Sequence, residues 1–414
     1  MRQAMKNILY FRCSRPLPYE DAAINEIQER LFADMEEKIG FVRGQTDIDG
    51  LRIDFNCGLR LEVPPSPFYI RISHALSKCV FFQGTIQNTR LISREKYAIP
   101  WQIDIWQNNR HIFSHTFNPL GQNIIFHCSS LAMGDTLAFL PYARLYRDKF
   151  GAKVYCWVDN YLKELIAHLY PDIPQVNSVA DAYATYYLGT WKKGYCGAPV
   201  DGCIYPLTQM AGAITGIYEP APSVITEIST PPPIKTPYIC IGVQASTPRK
   251  GWFYPRGWEI ITERLKKLDY RVFCIDRHTL TRADGYEITC PANAENLTGD
   301  HSLMDRAKLL AHAQCFIGLS SGLAWLAHSV GCPVIMISGM SASYNEFPNP
   351  YRVVNRTVCH DCFHDKTVDF MSGEACPFFH GTDREFECSK NITPDMVLNM
   401  TYQALKITPE NHSL

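Results

Sequence analysis

The stretch that decides the fold runs from residue 123 to residue 157: NIIFHCSSLAMGDTLAFLPYARLYRDKFGAKVYCW. NIIFHC is a short continuous apolar run, the pattern of a parallel strand covered on both faces. SSLAMGD reads as a loop, TLAFLPYARLYRDKFG as a helix whose start is blurred by Pro141, and AKVYCWV as the next strand. Strand, helix and parallel strand make a βαβ unit, so the chain is expected to be α/β and doubly wound.

Toward the carboxyl end the same grammar returns after EPAPSVITEISTPPPIKTP, residues 219–237, which is too proline-dense to enter a sheet and is expected to be a linker. Beyond it YICIGVQAS and YRVFCID read as strands around the helical WEIITERLKKL. Ser302 with Asp305 opens SLMDRAKLLAHA in the manner of a capping box. CFIGL, a helix from Ser321 to Val330, and PVIMISG continue the alternation. Two Rossmann-like domains are therefore expected, at 119–218 and 238–350. A closing helix in 391–414 would start at Thr393, with Pro394 at its first position.

Toward the amino end, apolar and polar positions alternate between turns from about Phe41 to Phe117, so residues 1–118 are expected to form a β-rich region. FVRGQTDIDGLRIDFN predicts a hairpin around Asp49-Gly50, and WQIDIWQNNRHIFSHTF another around Asn108-Asn109. A small antiparallel sheet or barrel is expected here, to bind acceptor or build an oligomer. The D-x-D string Asp47-Ile48-Asp49 falls in the first of these turns and is read as turn chemistry.

The 414 residues are 46% hydrophobic, enough for a full core, and the length suits two or three domains. Forty basic against 41 acidic side chains leave a net charge of -1, so no overall positive field favours nucleic acid. The opening MRQAMKNILYFRCSRPLPYED lacks a long apolar core, and no later run stays apolar for the roughly 20 residues of a membrane span. A soluble, cytoplasmic protein is expected. Most of the 16 cysteines stand singly in apolar runs, as Cys128, Cys240, Cys274 and Cys315 do, and read as reduced core residues.

Ligands of open α/β sheets bind outside the carboxyl ends of the strands, so the loops that follow strands hold the candidates. In LAMGD, Gly134 lets the backbone approach a ligand, and Asp135 puts at a helix start a carboxylate suited to take a proton from an attacking hydroxyl. The alternative makes Asp135 a helix cap only. Ala132, Met133 and Gly134 are donor-binding candidates. In QASTPRKGW, Gln244, Ser246 and Thr247 with the Lys250 ammonium suit a diphosphate, Lys250 stabilising the leaving group; the alternative is a solvated loop. In GLSSGLAWLAHSVGCPV, helix-start amides form an anion site and Gly322 admits a phosphate; the alternative is a plain capped helix with Ser320 or Ser321 as N-cap. Asp276, ending VFCID, stands where an acidic residue after a second strand meets a nucleotide ribose.

Cys359 and Cys362 form a close pair, and Cys376 and Cys388 follow in the polar segment 351–390. Four thiols so spaced suit a closed structural site for zinc or iron. His360, His364 and His380 stand as substitute ligands. Unpaired thiols are one alternative, and a zinc ribbon for nucleic acid is another that the balanced charge disfavours.

LAMGDTLAFLP, STPRKGW and LTGDHSLMDRAKLLAHAQCFIGLSSGLAWLAHSVGCPV, in this order, resemble the heptosyltransferase-type glycosyltransferases from about Asn123 to Gly339. The four-cysteine segment and the antiparallel amino-terminal region narrow the resemblance to the bacterial autotransporter heptosyltransferases. It implies a GT-B fold, Asp135 as base, Thr247 and Lys250 on the donor, and Ser320, Ser321, Gly322 and Leu323 at the diphosphate. It further implies ADP-heptose as donor, serines of an autotransporter passenger as acceptor, bound iron and a large homo-oligomer. An inverting single displacement without a catalytic divalent metal follows. Lipopolysaccharide members usually show Asp-Thr-Gly and a nearby histidine where this chain has Ser320-Ser321-Gly322 and Trp325, the latter also a donor-binding candidate. The rivals are a lipopolysaccharide-type transferase with a lipid-linked acceptor, for which no basic amphipathic segment is found, and a non-catalytic scaffold that binds a partner through its cysteine segment.

Overall fold

Two largely parallel sheets, each wound by helices, face one another in a computed structural model that describes residues 7–13, 22–44, 46–128, 131–190, 196–283, 285–368 and 376–407. The first half begins with β1 (Asn7–Phe11), α1 (Ala22–Ile39), β2 (Arg52–Asn56), β3 (Arg60–Val63) and β4 (Phe68–His74). β5 (Val80–Ile86), β6 (Thr89–Ser93), β7 (Trp101–Gln107) and β8 (Arg110–Thr116) follow. The hairpin expected around Asn108-Asn109 joins β7 to β8, with both asparagines at positive φ, 51° and 61°. The hairpin expected around Asp49-Gly50 is absent: among the described residues no strand lies between α1 and that turn, which only leads into β2. The reversal into β3 falls at Cys57-Gly58, with φ of 65° and 80°. A Cβ at Gly58 would lie 2.5 Å from the Glu95 carbonyl, so the close backbone approach needs glycine there.

The deciding stretch folds as β9 (Asn123–His127), α2 (Met133–Phe139), α3 (Pro141–Phe150) and β10 (Lys153–Trp157), with β10 parallel to β9. Ile124 and Phe126 are fully buried, as the apolar run requires. Pro141, at the first position of α3, splits the expected single helix in two. α4 (Lys163–Leu169), β11 (Ala184–Tyr187) and α5 (Leu207–Thr215) complete this half. The expected antiparallel sheet exists as four strands in the order β5-β4-β7-β8. β1, β2, β3 and β6 instead join the βαβ strands in a seven-stranded sheet, order β1-β6-β3-β2-β11-β9-β10, which takes strands from both sides of residue 118. Arg60, fully buried, fastens α1 to this sheet through ion pairs of 2.7 Å to Asp54 and 3.0 Å to Glu36.

Residues 219–237 hold no helix or strand, and the Thr226 amide donates to the Ser329 carbonyl at 2.8 Å. The second half runs β12 (Tyr238–Gly242), α6 (Gly257–Lys266), β13 (Arg271–Cys274), β14 (Leu280–Ala283), β15 (Tyr286–Thr289) and β16 (Glu295–Asn296). It continues with α7 (Leu303–Ala311), β17 (Phe316–Leu319), α8 (Gly322–Ser329), β18 (Val334–Ile337) and β19 (Arg352–Val353). Its six parallel strands, β16-β13-β12-β17-β18-β19, follow the doubly wound 3-2-1-4-5-6 order. Ser302 caps α7 by accepting the Asp305 amide at 3.0 Å. After α9 (Glu387–Lys390), α10 (Pro394–Leu405) starts with the Thr393 hydroxyl accepting the Met396 amide at 3.3 Å. The core is continuous across the halves, Leu137 and Tyr142 sharing one buried cluster with Trp325 and Phe347. The cysteines are free thiols, Cys128, Cys240, Cys274 and Cys315 buried among them. Among the described residues no helix is long and apolar enough to cross a membrane.

Candidate active site

β9 and β17 each deliver a helix at their carboxyl ends, and these helices, α2 and α8, pack against one another across the two halves. Small residues permit the approach: a Cβ on Gly134 would lie 2.9 Å from Trp325 Cδ1, and one on Gly322 2.9 Å from Met133 Cε. Met133, Gly134, Gly322 and Trp325 therefore stand together. The Trp325 ring is itself held edge-on by Phe347, 5.0 Å between centroids.

Asp135 belongs to the first turn of α2, not to a loop before it. The cap position falls to Ala132, exposed and without a side-chain bond, so the reading of Asp135 as a helix cap falls. Burial raises the Asp135 pKa, and the Lys250 ammonium, from the other half, pulls it part of the way back.

Lys250 closes a 3-10 turn, Pro248–Lys250, whose start is capped by the Thr247 hydroxyl accepting the Arg249 amide at 3.3 Å. Ser246 is exposed, and the Gln244 side chain donates to the His278 carbonyl at 2.8 Å. Asp276 stands behind this loop: 2% exposed, it accepts the Val243 amide at 2.7 Å and the Gln244 amide at 3.3 Å. Burial pushes its pKa up to about 6.

The two serines before α8 differ. The Ser320 hydroxyl donates to Glu346, whereas the Ser321 hydroxyl is buried at the N-cap with no hydrogen-bond partner. Leu323 packs on the core from a half-buried position. Sequence spacing gave no signal for Glu346, which sits in an irregular loop between β18 and β19. It gave none for Tyr161 either, 55% exposed, with its hydroxyl 3.4 Å from the Leu131 carbonyl. Partial burial raises the Tyr161 pKa, and the negative charges of Asp159 and Asp135 add to the shift.

Cys359, Cys362, Cys376 and Cys388 line one small cavity together with Arg249, Met340 and His360. Burial, then the neighbouring thiols, pushes Cys362 and Cys388 up to about 12. Converging soft donors suit iron or zinc chemically. Yet among the described residues no group of three or more His, Cys, Asp or Glu side chains is arranged to hold a metal ion, so the expected metal-binding character is not displayed by the fold itself. Of the substitute histidines, His360 reaches the cavity, while His364 pairs with the Cys203 carbonyl and His380 with Glu385, both at 2.7 Å.

Known proteins are similar to this chain in sequence and fold. Residues 48–109 match the family model of the glycosyltransferase TibC N-terminal domain, and residues 219–370 match that of glycosyltransferase family 9 (heptosyltransferase). The chain is 33% identical over 358 residues to the autotransporter heptosyltransferase BAHTCr of Citrobacter rodentium, covering 84% of this chain and 88% of the relative. It is 30% identical over 359 residues, 84% of each chain, to the inactive autotransporter heptosyltransferase BimC of Burkholderia thailandensis. The crystal structure of the iron-containing dodecameric glycosyltransferase TibC from enterotoxigenic E. coli matches with a TM-score of 0.82 at 30% identity, over 89% of this chain and 98% of that one. TibC has also been crystallised in complex with ADP-D-beta-D-heptose, and that structure matches equally. Identity sustained over most of both chains, on the same fold, means that the chain belongs to the autotransporter heptosyltransferase family.

Proposed function

We propose that this protein transfers heptose from ADP-heptose to serine hydroxyls of an autotransporter adhesin in the cytoplasm. The observation that carries the reading is the packing of α2 against α8, which brings the Asp135 turn of one half to the Ser320-Ser321-Gly322 turn of the other, with the Lys250 charge near enough to favour the Asp135 carboxylate. Asp135 takes the serine proton as the serine oxygen bonds to the anomeric carbon, and the bond from that carbon to the diphosphate breaks. Lys250, the amides at the start of α8 and the unpaired Ser321 hydroxyl offset the charge on departing ADP. One base and no protein nucleophile give inversion. Residues 119–218 serve the acceptor and 238–350 the donor, with Ala132, Met133, Gly134, Gln244, Ser246, Thr247 and Trp325 around it. Asp276 supports the donor loop from behind through the Val243 and Gln244 amides.

The convergence of Cys359, Cys362, Cys376 and Cys388 on one cavity supports a single structural iron there, with zinc as the alternative, in a segment distinct from the reacting groups. TibC, an iron-containing dodecamer, supports this and a large homo-oligomer. BimC is named inactive, so family membership does not by itself carry catalysis. The test is to incubate the purified protein with ADP-heptose and a serine-rich passenger fragment and to read the intact mass of the fragment. A ladder of added heptose masses is expected. Bound donor with no added mass would overturn the protein acceptor, in favour of a lipid-linked sugar or a role without catalysis.

A further inference from the structure

Glu346 is a buried acid of the second half with four side-chain partners, and the displacement above makes no use of it. It is 3% exposed, and one carboxylate oxygen accepts from Ser320 Oγ at 2.5 Å, Ser341 Oγ at 2.8 Å and Asn345 Nδ2 at 3.4 Å. The other oxygen pairs with Arg352 at 2.8 Å, and Arg352 also donates to Ser338 Oγ at 2.7 Å and to the Ser341 carbonyl at 2.5 Å. The cluster thus ties the ends of β17, β18 and β19 to the turn that opens α8. Burial alone would raise the Glu346 pKa, but Arg352 with the Ser320 and Ser341 hydroxyls brings it below its ordinary value, so the group is ionised.

Adjacent residues of the same type therefore have different surroundings. The Ser320 hydroxyl donates its hydrogen bond to a fixed internal acceptor, while Ser321 has a buried hydroxyl with no partner, a state that a ligand oxygen would relieve. We propose that Glu346 is a positioning residue for donor binding: by holding Ser320 it sets the Ser320-Ser321-Gly322 turn, so that Ser321 and the first amides of α8 are the groups left for the diphosphate. The proposal rests on the reading of this turn as the diphosphate site. Ser320 also stands between an anionic carboxylate and an anionic ligand. Its loss would leave that carboxylate with one partner fewer beside the incoming charge.

The test is titration calorimetry with ADP as the probe, on the full chain and on Glu346→Ala, Glu346→Gln, Ser320→Ala and the Ser320→Ala/Glu346→Ala double variant, with melting temperatures alongside. Binding of ADP by the unaltered protein comes first; if it fails, the donor-site reading falls, and the proposal with it. Where ADP binds, Glu346→Ala and Ser320→Ala are each expected to raise Kd about tenfold. The double variant is expected to be little worse than either single one, because both remove the same contact. Glu346→Gln keeps an acceptor for Ser320 and is expected to stay within about threefold of the unaltered protein. Lower melting temperatures with unchanged Kd would overturn the proposal, as would effects that multiply in the double variant. Glu346→Gln as weak as Glu346→Ala would also overturn it. If Glu346→Ala fails to fold, Ser320→Ala with unaltered affinity is sufficient to overturn it.

Discussion

A carboxylate that removes a proton must itself be deprotonated, so its pKa fixes where activity disappears in acid. Burial lifts Asp135 above the ordinary aspartate value of about 3.9, and Lys250 opposes the lift. The acid limb of a plot of kcat/KM against pH is therefore expected above that value, with activity lost as pH falls through it. Lys250→Met removes the charge that favours the carboxylate and is expected to move the limb to higher pH; a limb that stays in place contradicts the coupling. Asp135, Lys250, Gly134 and Gly322 could be singled out as candidates in the sequence because an acid, a base or a missing side chain after a strand shows in the residue itself. Glu346 was not, since its role depends on Ser320 and Arg352, 26 residues before it and six after. Asp276 was legible in position, at the end of a strand, but its bonds to the Val243 and Gln244 amides were not.

Helices α2 and α8 meet through glycine on each side, and the room differs. The neighbour of Gly134 is the ring of buried Trp325, pinned by Phe347, whereas that of Gly322 is the mobile methyl end of Met133. Gly134→Ala is therefore expected to destabilise the protein by about 1–3 kcal/mol, and Gly322→Ala by less, in urea unfolding. Equal effects would mean that the Trp325 ring yields as easily as a methionine tip. Local chemistry decided which elements could be read. Asn108-Asn109 announced its hairpin because asparagine tolerates positive φ, while Cys57 gave no such sign. The start of α2 was placed three residues late because Ala132 offers no cap side chain.

The alternation of strands and helices made two doubly wound halves legible, but strand partners distant in sequence were not. β2 pairs with β11 through Phe55 and Ala184, and no local pattern relates residues so far apart. The same sheet buries Arg60 between Asp54 and Glu36, and Asp54→Ala is expected to destabilise by about 3–5 kcal/mol, since it leaves a buried guanidinium short of a partner. At the level of the assembly, elemental analysis is expected to find one iron per chain, falling sharply in Cys362→Ser, and light scattering a particle of many subunits; a metal-free monomer would contradict both. The proposed chemistry stands on Asp135 as the base of a sugar transfer to protein. Its most direct test compares Asp135→Asn with the unaltered protein in the same passenger-glycosylation reaction, read by intact mass, with ADP affinity measured in parallel. The expected result is a loss of transfer of about 10²–10⁴-fold with ADP affinity unchanged. A heptose ladder formed by Asp135→Asn at the unaltered rate would mean that Asp135 is not the base.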